Sequence, residues 1–177
     1  MLTRNLRIVL CLLSLFAAFG WPATAIATDK QYEDSENHFK LVAPEGWTPL
    51  SAKQVGAVLA LKIEAAPSKD ASPSLAEVQV HPGGAPIDNI AAEMGKSFKS
   101  RDPNAVVDAP EKTTLGGQPA VALKSTVKLA GRQVRALHII CAHGGKDFVF
   151  AYLSSPDRFD TWRPEIQKLI DSFQFTQ

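Results

Sequence analysis

Cysteine is scarce in this 177-residue sequence: there are two, alongside two methionines and two tyrosines, and aromatics make up 8% of the chain. So few cysteines exclude a disulfide-stapled miniprotein. Neither sign of charge dominates, with 19 Lys and Arg against 18 Asp and Glu, which excludes a strongly basic nucleic-acid binder. Internal repeats and low-complexity tracts are missing, as are G-x-S-x-G, H-E-x-x-H, C-x-x-C and Walker-loop signatures. No apolar run reaches the roughly 20 residues that a membrane-spanning helix requires. What is present, 45% hydrophobic and 21% charged residues, is the profile of one ordinary globular domain.

The first segment reads as an address. Arg4 and Arg7 precede an apolar stretch from Ile8 to Phe19 broken only by Ser14, and Ala25 and Ala27 follow as small residues. This is the pattern of a secretory signal cleaved after Ala27, with an uncleaved anchor as the alternative. The stretch of about a dozen apolar residues is too short to span a bilayer. Cys11 lacks the preceding small residues of a lipidation site, because Val9 and Leu10 stand there. Setting residues 1–27 aside turns the net charge from +1 to −1 and leaves Cys141 as the only cysteine. Such a chain forms no internal disulfide, so a hydrophobic core must hold it together. The expected organisation is a signal over 1–27, a flexible lead-in over 28–37 and a single domain over 38–177, with a periplasmic or secreted location.

Alternation marks the strands. Phe39–Val42 ends at Pro44-Glu45-Gly46. Leu59, Leu61 and Ile63 oppose Lys62 and Glu64, and Ala76, Val78 and Val80 oppose Glu77 and Gln79. Ile87, Ile90, Ala91, Met94 and Phe98 then recur at helical spacing, with Lys96, Lys99 and Arg101 near the end of the helix, where cations suit its dipole. Val106–Leu115 contains a proline and reads as an edge strand. The next strands, about Val121–Leu129, Val134–Ala142 and Phe148–Leu153, are joined by glycine turns, and the last two are apolar on both faces. Trp162, Ile166, Leu169, Ile170 and Phe173 mark a final helix starting near Asp160 or Thr161. The fold class expected is α+β: a central antiparallel sheet of about six strands flanked by two helices.

Three stretches resemble a known family. Phe39-Lys40-Leu41-Val42-Ala43-Pro44-Glu45-Gly46-Trp47, the "L-G-G-Q-P-A" around Gly116-Gly117, and the closing "S-F-x-F" at Ser172–Phe175 are similar to the PsbP-like proteins. That family includes lumenal PsbP, the periplasmic DcrB proteins and the Ran-binding Mog proteins. The resemblance covers about Tyr32 to Phe175. It implies a PsbP/Mog-like α/β/α sandwich and, for most relatives, a non-enzymatic accessory or binding role. It brings no catalytic motif.

The residues that bear chemistry cluster at His138-Ile139-Ile140-Cys141-Ala142-His143. Strand alternation puts Cys141 and His143 on one face and His138 on the other. At most two of them converge, short of the four ligands of a closed zinc site. Cys141 reads first as a buried structural residue; metal binding by Cys141 and His143, or a Cys/His hydrolase, are the alternatives. His81-Pro82-Gly83-Gly84 before a helix reads as a plain loop rather than an anion site, and His38 beside Asp34 and Glu36 reads as a solvated lead-in. Trp47 and Trp162 read as core anchors. Lys124, Lys128, Arg132 and Arg135 surround one hairpin; they read first as the wet face of a sheet and are also the candidate cations for an acidic partner. The expectation is a non-enzymatic exported accessory protein without a cofactor, binding an unknown protein or envelope component. It engages no nucleic acid and keeps no membrane span. A periplasmic small-ligand or metal-binding protein is the alternative.

Overall fold

A computed structural model describes residues 29–52, 56–63 and 74–177. The expected signal and Cys11 lie outside these, as do Val55, Glu64 and the loop that follows it. Among the described residues the chain forms, in order, β1 (Lys30–Asp34), β2 (Phe39–Ala43), β3 (Thr48–Pro49), β4 (Leu59–Ile63), β5 (Ser74–Pro82), α1 (Ile87–Arg101), β6 (Val106–Val107), β7 (Glu111–Leu115), β8 (Gln118–Leu129), β9 (Arg132–His143), β10 (Lys146–Ser154), α2 (Arg163–Ser172) and β11 (Gln174–Phe175).

The three long central strands arise from their turns. Gly116-Gly117, Ala130-Gly131 and Gly144-Gly145 all have positive φ at both positions. This is the backbone signature of the tight turn whose twist matches two right-twisted strands. β8, β9 and β10 therefore fold back on one another in register, with Leu129 opposite Arg132 and His143 opposite Lys146. The main sheet runs β3-β4-β5-β10-β9-β8-β6, with β7 also paired to β8, and a second sheet runs β1-β2-β11. Every pairing is antiparallel.

The expected sheet of about six strands is thus an underestimate: among the described residues the main sheet has eight and a second sheet adds three. The extra strands are short edges that carry little hydrophobic signal. Val106–Leu115 is two strands on β8, divided at Asp108–Pro110, because Pro110 has no N–H to give a ladder. The segment expected as a flexible lead-in contains β1, laddered onto β2 from Lys30 opposite Ala43 to Asp34 opposite Phe39.

Two faces of the main sheet are covered, as the apolar central strands require. On one, Ile87, Ile90, Ala91 and Met94 of α1 pack on Val121, Ile140 and Val149. On the other, Leu61, Val78, Ile139, Cys141, Phe148, Phe150 and Tyr152 meet Phe39 and Leu41 of β2 and Ile166 and Leu169 of α2. Burial of each such large side chain contributes about 1.5–3 kcal/mol. Ser172 joins α2 to β2: the Val42 N–H donates to its Oγ at 2.9 Å, and the Oγ lies 2.9 Å from the Leu169 carbonyl. The chain's opening and closing motifs meet here. β11 pairs with β2, Phe175 opposite Phe39. Phe173 stacks on Phe39 with centroids 5.3 Å apart and planes 5° from parallel. Gly116 must be glycine beneath this cluster, because a Cβ there would stand 2.8 Å from the Phe175 ring.

Candidate functional site

β9 and the turn that follows it position the His/Cys cluster. The period-two alternation carries Leu137, Ile139 and Cys141 into the main core. Cys141 is fully buried, and burial, reinforced by the Asp147 carboxylate, pushes its thiol up to about 12. A thiol held protonated at neutral pH is a poor nucleophile. His143, two residues on and half-buried, lays its ring on Phe175 at 4.0 Å between centroids. The pair shares a face, as the alternation requires, and the His143 ring stacks on the aromatic cluster. His138 faces α1, where Phe98 lies 5.4 Å from its ring. Its Nδ1 has no hydrogen-bond partner, and burial pulls it down to about 4, so it is neutral at pH 7.

His38 lies in the β1–β2 turn and His81 near the end of β5. The Asp34 carboxylate, placed with His38 and Glu36 in one acidic stretch, accepts from the Glu36 and Asn37 backbone N–H groups and from Asn37 Nδ2 at 2.9–3.0 Å. It builds the β1–β2 turn. Gly83 after His81 approaches the neighbouring turn: its N–H donates to the Gly145 carbonyl at 3.0 Å, and a Cβ there would fall 2.7 Å from that oxygen. Trp47 lies in the core and Trp162 packs against it, half-buried.

A polar row on β5 escaped functional notice in the sequence, where it read as a strand's wet face. Gln79 Nε2 donates to Glu77 Oε1 at 2.7 Å, and His81 Nε2 lies 3.3 Å from Gln79 Oε1. Glu77 is buried, which raises its carboxyl above the ordinary range. Asp147 opposes His81 in the β5–β10 register and is also buried, with Oδ1 unpartnered. Among the described residues no group of three His, Cys, Asp or Glu is arranged to hold a metal ion.

The cationic quartet divides between the two faces of its hairpin. In register, Lys124 opposes Leu137, Thr126 opposes Arg135 and Lys128 opposes Gln133, so Lys124, Lys128 and Arg135 share one face and Arg132 takes the other. Lys124 and Arg135 are held in ion pairs on the hairpin's flanks. Lys124 pairs with Glu111 at 3.0 Å, and Arg135 pairs with Asp160 at 3.1 Å while lying over the Phe159 ring. Exposed pairs of this kind contribute about 0.2–1 kcal/mol. They tie down positive charge at the hairpin's root. The exposed cations Lys128 and Arg132 flank the tip.

That tip has a geometry the sequence did not disclose. β10 leaves β9 at Ser154 opposite Arg135, and β6 leaves β8 at Val106 opposite Thr126. Residues 127–134 therefore ladder only with one another. Leu129 is 43% and Val106 61% exposed, two of the three exposed large hydrophobics among the described residues. The Asp102 carboxylate, at the end of α1, accepts the Lys128 backbone N–H at 2.8 Å. This contact brings the exposed Lys99 and Arg101 of the last helical turn to the same end of the molecule.

Comparison with known proteins places the fold. The structure is similar to the solution structure of cyanobacterial PsbP (CyanoP) from Synechocystis sp. PCC 6803, with a TM-score of 0.61 and 17% identity, covering 90% of this chain and 98% of that one. It is also similar to LpqN, described as involved in cell envelope biogenesis of Mycobacterium tuberculosis (TM-score 0.59, 14% identity, 90% and 88% covered). A third similar structure is the Saccharomyces cerevisiae Ran-binding protein Mog1p (TM-score 0.58, 11% identity, 85% and 97% covered). At these identities the likeness is one of fold. No curated protein matches the sequence. No helix among the described residues is long and apolar enough to cross a membrane. The family model for PsbP matches residues 28–175, most of the sequence, and the chain therefore belongs to the PsbP family.

Proposed function

We propose that this chain is an exported, non-catalytic accessory protein that binds a protein or envelope component outside the cytoplasm. The observation that carries this reading is how the chemistry-bearing side chains are used. Cys141 is sealed in the core, and His143 is stacked on Phe175. Exposed polar and charged side chains and the exposed Leu129 instead stand on the surface of the β8–β9 hairpin. The N-terminal pattern with a cut after Ala27 supports export, and membership of the PsbP family agrees with an accessory role. The test uses the processed chain as cross-linking bait in an envelope fraction. Capture of a discrete partner is expected, and the C141A/H143A variant should capture it equally well. Turnover of ester, peptide, phosphate or glycosidic substrates that disappears in that variant contradicts the reading.

A further inference from the structure

We infer that the C-terminal half of α1, from Gly95 onward, is a flap that acid releases from the sheet, with the buried imidazole of His138 as its proton sensor. The two halves of α1 rest on different surfaces. Ile87, Ile90, Ala91 and Met94 pack on Val121, Ile140 and Val149, an apolar contact throughout. Beyond Gly95 the helix meets polar groups. The Phe98 ring lies 5.4 Å from that of His138, and Val107, opposite Ser125, comes within 3.2 Å of where a Gly95 Cβ would stand. His138 Nδ1 and Ser125 Oγ are both buried without a hydrogen-bond partner, and polar atoms left unpaired weaken the packing that covers them. Gly95 divides the halves. The close approach of Val107 keeps a residue of poor helix propensity in mid-helix. One exposed clasp holds the end down: the Asp102 carboxylate accepts the Lys128 N–H at 2.8 Å.

A proton on His138 meets no ready counter-charge. Along its row of the sheet, Leu123 stands opposite on β8 and Ala151 on β10, and Glu77 follows beyond Ala151 on β5. Glu77 accepts from Gln79 Nε2 at 2.7 Å, and burial raises its carboxyl above the ordinary range, so acid neutralises it early. The positions on either side carry no charge: Val121 and Ser125 on β8, Val149 and Leu153 on β10. From α1, the groups one turn past Phe98 are Arg101, a like charge, and Asp102, which the Lys128 and Asn104 N–H groups engage. Glu93, Lys96 and Lys99 of the helix are exposed, as is Asp108 just past β6. Closed, the flap holds His138 at about 4; open, the ring returns to the ordinary 6.5. Opening is therefore favoured as pH falls below 6.5, by about thirty-fold at pH 5, and levels off near about 300-fold below pH 4.

The test is hydrogen–deuterium exchange of the processed chain, read by mass spectrometry and corrected for the intrinsic pH dependence of exchange. Between about pH 7.5 and about pH 5, the amides of residues 97–102 should lose about thirty-fold in protection. Those of residues 91–94 and of β9 and β10 should keep theirs. H138N and H138F, neither of which titrates, should abolish the dependence. H138F also fills the space against Phe98, and it carries the test should H138N not fold. D102A removes the clasp, so it should loosen residues 97–102 at every pH and leave the dependence in place. Unchanged protection of residues 97–102 down to pH 5 overturns the inference. So does an equal loss over residues 91–94 or the central strands, which would be wholesale unfolding rather than a flap. A dependence that survives in H138N or H138F, or that disappears in D102A, overturns His138 as the sensor.

Discussion

The opening and closing motifs of the chain stabilise each other through one stacked pair, and a double-mutant cycle measures it. Phe39 is 1% and Phe173 2% exposed, and their rings are 5.3 Å apart and nearly parallel. Replacing either with Ala would cost about 3–5 kcal/mol and open a cavity. The milder F39L and F173L keep the core filled, and each is expected to cost about 1–2 kcal/mol. Stacked aromatic pairs contribute about 0.5–1.5 kcal/mol beyond their buried area. Phe39 also meets Phe148 edge-on at 6.2 Å, and Phe173 meets Phe175 edge-on at 5.2 Å. Those secondary contacts are lost in the singles as well as the double and cancel in the cycle. The expected coupling is therefore about 1 kcal/mol, read by urea unfolding followed by tryptophan fluorescence and far-UV circular dichroism. A coupling below about 0.3 kcal/mol, within the scatter of independent sites, would show that β2 and the closing segment do not pack as described.

Three further outcomes follow from local geometry. G116A should destabilise by about 1–3 kcal/mol, because it combines a positive φ with a Cβ against Phe175; Gly117, with nothing within 4 Å, should lose only the conformational part, and thermal melts of the two variants compare them. A130N should gain about 1 kcal/mol in the same assay, since Asn tolerates the left-handed turn position. His138 should give an acid-side loss of stability. Its folded value of about 4 lies below the ordinary 6.5, so the unfolded chain binds the proton first. The stabilisation is complete above about pH 6.5 and is lost as pH falls towards 4, with a ceiling of about 3 kcal/mol. H138N should flatten that slope in urea titrations across this window.

Much of the fold was legible in the sequence because its strongest elements repeat their pattern. α1 was readable from Ile87, Ile90, Ala91, Met94 and Phe98, and it spans Ile87–Arg101. α2 begins at Arg163 with Pro164 in its first turn, slightly later than expected, because residues 156–162 form turns. β1 was not legible. Lys30-Gln31-Tyr32-Glu33-Asp34 offers only Tyr32 to the core, and it is a strand because β2 supplies a ladder rather than because of its own hydrophobicity. β6 and β3, with two residues each, are too short for any period. The second sheet depends on Phe175 meeting Phe39, a contact between chain ends that spacing does not encode.

The site was legible in part, for a related reason. Alternation separated His138 from Cys141 and His143 correctly, since it follows from strand geometry alone. It was silent on what each side chain meets: Phe175 on His143, Phe98 on His138, Asp160 on Arg135. The four hairpin cations looked like one patch because they are close in sequence. Register divides them between faces, and Glu111 and Asp160 engage two of them. The projecting tip depends on where β10 and β6 stop, which is a property of neighbouring strands rather than of the hairpin's own residues.

The claim that this chain works through its surface and keeps its nucleophile in the core is tested most directly by the reactivity of Cys141. The folded, processed protein should react with an aromatic disulfide reagent at pH 8 at least about a thousand-fold more slowly than the urea-unfolded chain, because attack requires an opening of the core. Its rate should rise in step with global unfolding as urea is added. Rapid stoichiometric labelling of the native protein, at a rate close to that of the unfolded chain, would contradict the buried, protonated thiol on which the non-catalytic reading stands.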